Sequence, residues 1–175
     1  MKVLGTFFFI YFSIVIMGVK AAENMSFKGT LRDDIPCVIP PGEENVDLDF
    51  GSVVDRYLYA NQRTPGKMFE IHLEECDLSL AKTVSLTFSG QVSQELPGFL
   101  ALSPASQVTG VAIGVETPAG EKIMLNKSTS KYDLLAGGNI LRLQAYVQGE
   151  PQALAGKNIG YGVFSAVMTF SLEYE

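Results

Sequence analysis

Gly162-Val163-Phe164-Ser165-Ala166-Val167-Met168-Thr169-Phe170-Ser171-Leu172-Glu173-Tyr174-Glu175 is the stretch on which the fold turns. Phe164, Ala166, Met168, Phe170, Leu172 and Tyr174 recur with period two, while Ser165, Thr169, Ser171 and Glu173 fill alternate positions. Side chains of a strand point alternately to opposite faces, so this spacing predicts a half-buried strand with one apolar face. Nothing follows in the sequence that could pair with its free edge, and a row of unpaired N–H and C=O groups needs a partner from elsewhere. Two architectures satisfy the pattern: the closing strand of an ordinary sandwich, and an edge strand that takes its neighbour from another chain.

The same period recurs upstream. Val46-Asp47-Leu48-Asp49-Phe50-Gly51, Phe69–Glu74 and Val84–Gly90 alternate in turn, and further strands are expected at Phe99–Leu102, Val111–Val115, Ile123–Leu125 and Leu141–Val147. Pro97-Gly98, Pro118-Ala119-Gly120 and Gly137-Gly138-Asn139 punctuate them as turns. Many short strands with this punctuation predict an all-β sandwich. No long amphipathic helix, fixed repeat or low-complexity linker divides the chain; Glu150–Asn158 is expected to hold a brief helical turn or a loop.

At the start, Met1-Lys2 precedes an apolar run from Val3 to Val19, and Val19-Lys20-Ala21 supplies small or apolar residues for cleavage. This reads as a secretory signal over residues 1–21, cut after Ala21 or, as the near rival, after Ala22. Gly5, Thr6, Ser13 and Gly18 interrupt the run, which falls short of the ~20 apolar residues that span a bilayer, so no membrane insertion is expected. One domain is expected to follow. The chain carries 13 Lys and Arg against 19 Asp and Glu, a net charge of −6, and the signal holds Lys2 and Lys20 but no acid. The acidic remainder argues against nucleic acid or anionic lipid as partners.

Cys37 and Cys76 are the two cysteines, and in an oxidising compartment an even pair joins as a disulfide. The rival, a two-thiol metal or redox site, lacks Cys-x-x-Cys spacing, and His72 is the single histidine. His72 sits on the polar side of its strand beside Glu70 and Glu74, as a solvated histidine does. With no Gly-x-Ser-x-Gly elbow, phosphate loop or metal-ligand cluster, neither an enzyme nor a cofactor or metal is expected. Between the signal and Cys37, Met25, Phe27, Gly29 and Leu31 share one face of an extended segment, with Ser26, Lys28 and Thr30 on the other. Gly29 weakens a strand interior unless another group must approach closely.

The closing stretch, headed by Gly162 and with Tyr174 next to its end, resembles the C-terminal motif of chaperone–usher pilus (fimbrial) subunits. The Asp47–Gly51, Glu70–Cys76, Gly110–Val115 and Leu141–Tyr146 blocks occur in that family's order, and the resemblance extends over the chain from residue 22 onward. It implies an incomplete immunoglobulin-like sandwich, the pilin fold, lacking its last strand. Residues 22–31 are then an N-terminal donor-strand extension whose Met25, Phe27, Gly29 and Leu31 enter a neighbour's groove, and residues 32–175 are the pilin domain. Gly162, Phe164, Ala166, Met168, Phe170, Leu172 and Tyr174 line this chain's own groove, which a periplasmic chaperone covers until an outer-membrane usher joins neighbouring subunits.

Phe27-Lys28-Gly29-Thr30-Leu31, Leu96–Leu100 and Pro151–Leu154 are most similar to the adaptor subunits of pilus tips. The implied role is a minor structural subunit of a cell-surface fimbria, exported through the periplasm and contributing to cell adhesion. A major rod subunit and a self-contained secreted β-sandwich that binds a ligand are the alternatives.

Overall fold

The computed structural model describes residues 35–175. The expected signal (1–21) and donor segment (22–31, with Met25, Phe27, Gly29 and Leu31) lie outside the described residues. Seven strands and two short helices follow in chain order: α1 (Asp55–Asn61), β1 (Lys67–Cys76), β2 (Thr83–Ser89), β3 (Val111–Glu116), β4 (Lys122–Ile123), β5 (Tyr132–Asp133), β6 (Gly137–Gly149), α2 (Pro151–Gly156) and β7 (Thr169–Tyr174). They form two antiparallel sheets, one ordered β1-β6-β3-β4 and the other β5-β2-β7. This is an all-β, incomplete immunoglobulin-like sandwich, and its second sheet is one strand short at β7.

Alternation decides which side chains fill the space between the sheets. On β1, Phe69, Ile71 and Leu73 point inward while Met68 and Glu70 face water; on β2, Val84, Leu86 and Phe88 point inward. Leu141, Leu143 and Ala145 of β6 complete the opposite wall of the same core. The Cys37–Cys76 disulfide ties the start of the described chain to the end of β1, where Val38 and Glu74 also exchange main-chain hydrogen bonds of 2.8 and 2.7 Å. A smaller cluster of Leu58, Val111, Val147, Ala153 and Ile159 lies under α1 and α2.

Several sequence expectations change. The Val46–Gly51 block alternates from Asp47 onward, with Leu48 and Phe50 half-buried and Asp47 and Asp49 exposed, but Val46 is exposed and the block is no strand. Its main chain makes no hydrogen bond to the main chain of other described residues, so the side-chain pattern is strand-like without a ladder. Phe99–Leu102 is reduced to two isolated bridges at Leu100, to Val92 and to Ile113, and Ile123–Leu125 to the two-residue strand Lys122–Ile123. The short α1 carries no helical signal because Leu58 is its single buried residue and its N-terminus lacks a side-chain cap. The 150–158 expectation holds, with Pro151 opening α2.

A groove between two unpaired walls

Expected as one strand from Gly162 to Glu175, the closing stretch forms a ladder over Thr169–Tyr174 alone. β2 ends at Ser89, so residues further back have no strand to pair with. Loop 103–107 takes over. Ser103 N–H donates to the Ser165 carbonyl at 2.8 Å and Gln107 N–H to the Val163 carbonyl at 2.9 Å. In return Ser165 N–H donates to Ser106 Oγ at 3.1 Å and Val163 N–H to Gln107 Oε1 at 3.3 Å. Gly162 begins this arrangement at φ +137°, where a Cβ would come within 2.5 Å of Gln107 atoms. A side chain there would combine backbone strain with a clash.

These bonds sort the stretch by parity. Thr83 and Glu175 exchange both N–H···O=C bonds at 2.9 Å, which makes them a hydrogen-bonded pair. In an antiparallel ladder such pairs alternate with non-bonded ones, so Glu173, Ser171 and Thr169 also face β2 with their main-chain groups. Val163 and Ser165 continue the row against the loop. The even residues, Tyr174, Leu172, Phe170, Met168, Ala166 and Phe164, therefore turn their N–H and C=O groups to the other edge, where no described main chain meets them. The same six residues send their side chains inward.

Burial registers what is missing. Val84, Leu86 and Phe88 of β2 are 0%, 0% and 2% exposed, whereas their β7 partners Tyr174, Leu172 and Phe170 are half-buried. Tyr174 packs against the apolar core, and that burial pushes its hydroxyl above its ordinary pKa. From Phe170 back toward Gly162 opens a cleft of about 1080 Å³, floored by Ile71, Phe88, Leu100 and Ile113. One wall is residues 162–170 and the other is the strap of residues 44–53. The walls touch where Phe50 and Phe164 place their ring centroids 6.3 Å apart. An apolar cleft edged by unpaired main chain can take up an extended peptide as an added strand.

The family now follows from sequence comparison as well as geometry. The described fold and its groove belong to a sequence that matches the family described as "Fimbrial protein" over residues 25–175. The chain belongs to the fimbrial protein family. It is 32% identical to the "Fimbria A protein" of Serratia marcescens over 171 residues, covering 93% of this chain and 95% of that one. It is also 32% identical to the "Fimbrial adapter PapK" of Escherichia coli over 174 residues, covering 93% and 94% respectively. Among solved structures, the P pilus rod subunit PapA matches with a TM-score of 0.69 and 26% identity, over 81% of this chain and all of that one. The protein is thus a structural subunit of chaperone–usher fimbriae, not an enzyme, exported to the cell surface and assembled with neighbouring subunits.

The strap of this fimbrial subunit is held at few points. The turn leading into it carries Glu43, whose carboxylate meets His72 Nδ1 at 2.7 Å, while His72 Nε2 lies 3.1 Å from Glu70. The hydrogen bond to Glu70, helped by Glu43, raises the His72 pKa, and the same bond lowers that of Glu70. His72 is thus half-exposed as expected, with Glu43 a partner that sequence spacing does not reveal. Further along, Lys67 Nζ meets the Asp49 carbonyl and Gly51 takes up φ +63°. At the far end Tyr161 Oη donates to Asp55 at 3.0 Å and Ile159 N–H donates to Tyr59 Oη at 3.1 Å, which fastens α1 to the other wall. Among the described residues no cluster of acidic, histidine or cysteine side chains could hold a metal ion.

Proposed function

We propose that this chain is an internal link of its fimbria, accepting a strand from one neighbour in the 162–174 groove and donating residues 22–31 to the next. The coincidence that carries this reading is that the six residues with inward apolar side chains are also the six whose main-chain groups on the outer edge meet no main chain among the described residues. A strand laid along that edge gains ladder hydrogen bonds and buries apolar side chains in the same register. Met25, Phe27 and Leu31 would supply such side chains, and Gly29 would pass over the shallow place where Phe50 meets Phe164. Before assembly, a periplasmic chaperone would cover the exposed groove and an outer-membrane usher would exchange its strand for that of the next subunit. The removal of residues 1–21 on export belongs to the same reading.

For its place within the fimbria, the 27–31, 96–100 and 151–154 blocks and the similarity to an adaptor support a minor adaptor position. A second reading, a major rod subunit joined to its own kind, is favoured by the charges along the groove, developed below. Quantitative mass spectrometry of purified fimbriae separates the two, since an adaptor is present in a small number of copies and a rod subunit in great excess. Strand acceptance itself is tested by thermal unfolding of the full chain with an excess of synthetic peptide Ala22–Asp33. A rise of several degrees, lost with a Gly29→Leu peptide, supports it; an unfolding temperature indifferent to every extension peptide refutes it.

A further inference from the structure

The groove has an electrical sign. Its strap carries Glu44, Asp47 and Asp49, and Asp55 follows at the start of α1; among the described residues that line the cleft there is no lysine, arginine or histidine. Asp47 and Asp49 are exposed, flanking the half-buried Leu48, so they stand on the outward face of the strap while Leu48 and Phe50 point inward. Lys67 lies nearby with its ammonium against the Asp49 carbonyl, leaving the carboxylate to accept from Gly51 N–H at 2.8 Å. On the other wall the outward residues Val163, Ser165, Val167 and Thr169 are uncharged, and Glu173 lies further along β7, outside the lining. Arg56 lies on α1 outside the lining, and the Lys131 ammonium is bonded to Glu175 beyond the cleft.

A strand seated between these walls presents alternate side chains outward, about 5 Å from the outward side chains of its neighbours. Residues 24–32 of this chain have the matching pattern. With Met25, Phe27, Gly29 and Leu31 inward, the outward set is Asn24, Ser26, Lys28, Thr30 and Arg32, which holds two cations and no acid. We propose that the acidic strap selects the strand that enters the groove by the charge of its outward face, and that the occupant it fits is the 24–32 segment of a second copy of this chain. The proposal rests on the reading of the groove as a strand acceptor. Main-chain pairing is indifferent to sequence, and the inward side chains ask for apolar bulk; the outward row is where one extension can be told from another. Charge complementarity of this kind acts chiefly on encounter rate and on rejection of wrong partners.

The test follows uptake of fluorescent synthetic peptides Ala22–Asp33 by the full chain, at low salt and at about 1 M salt, where the screening length falls to about 3 Å. The native peptide is expected to enter about tenfold faster at low salt than one carrying Lys28→Glu and Arg32→Glu, within the range known for electrostatic steering. High salt is expected to erase that difference. A chain with Asp47→Lys and Asp49→Lys is expected to invert the preference, taking up the acidic peptide faster than the native one. Equal low-salt rates, or a preference unchanged in the charge-swapped chain, overturn the charge rule while leaving strand acceptance standing. A Lys28→Gln, Arg32→Gln peptide entering as fast as the native one assigns the groove to another subunit's strand and overturns self-joining. If no peptide enters under any condition, the acceptor reading itself fails and the charge rule with it.

Discussion

Ala166 and Val167 are neighbours in sequence and opposites in the groove, and a carboxylate placed at each separates the strand-acceptor reading from general damage to the fold. Ala166 faces inward and is half-buried, with its N–H and C=O on the free edge; Val167 is 77% exposed on the outer face. In the empty cleft water still reaches the carboxylate of an Ala166→Asp variant, so the unoccupied domain should lose no more than about 1 kcal/mol. A strand laid over it removes that water, and the effective cost of enclosing an unpaired carboxylate is several kcal/mol. At about 1.4 kcal/mol per factor of ten, a cost of about 4 kcal/mol weakens peptide binding about a thousandfold. Val167→Asp stays in solvent in both states and should alter affinity by about twofold or less. Fluorescence anisotropy of a labelled Ala22–Asp33 peptide against each full-length variant measures both numbers. The defect of Ala166→Asp should lessen in acid, because enclosure raises the pKa of the new carboxyl and protonation removes its charge. Equal losses at the two positions, or a larger loss at Val167, would refute the assignment of the even residues to the groove.

Three further outcomes follow from the scaffold. Replacing Cys37 and Cys76 by serine opens a loop with a sequence separation of 39, and chain entropy sets the cost at about 4 kcal/mol, measurable by urea unfolding. Arg63 meets the two carboxylate oxygens of Glu116 at 2.5 and 2.8 Å, and Glu116 is 2% exposed, so Arg63→Ala should cost about 2 to 4 kcal/mol at pH 7. The hydrogen bond from Arg63 lowers the Glu116 pKa from 4.5, so this stabilisation is full above about 4.5 and is lost as pH falls through the depressed folded value; the gap between wild type and variant should shrink over that window in pH-dependent unfolding. Gly114→Ala would set a Cβ 2.5 Å from the Tyr146 ring and 2.7 Å from Phe99, and should destabilise by about 1 to 3 kcal/mol in the same assay.

Period-two alternation was enough to find β1 and β2, whose inward residues are buried as the pattern demands, whereas β3, buried along its whole length between its neighbours, and β6 were legible as apolar runs between turn signals. The same alternation overstated the strap. Leu48 and Phe50 turn inward whether or not the main chain between them is paired, so side-chain spacing alone cannot tell a ladder from an unpaired wall. The parity of the closing stretch was legible at Phe164–Tyr174, but its division between β2 and loop 103–107 was not. That division depends on where β2 ends and on Ser106 and Gln107, which lie far away in sequence. Likewise the His72–Glu43 contact joins residues brought together only by the turn after Cys37.

The parity of that stretch also limits what the groove can recognise. Each even residue offers a donor, an acceptor and an apolar side chain, so a strand accepted there would be held through its main chain and through apolar bulk at alternate positions. Neither feature discriminates well, since every peptide has the first and many extensions of one family share the second. Specificity between subunits must then come from a departure from uniformity. The structure holds two: the place where Phe50 and Phe164 meet across the cleft, and the carboxylates of Asp47 and Asp49 on the outer face of the strap. The first acts on the size of one inward residue, the second on the charge of the outward row. Size at a tight contact would be read after the strand has seated, whereas charge acts during approach, so under the proposed charge rule the acidic strap would govern which strand begins to enter and the aromatic contact which one stays.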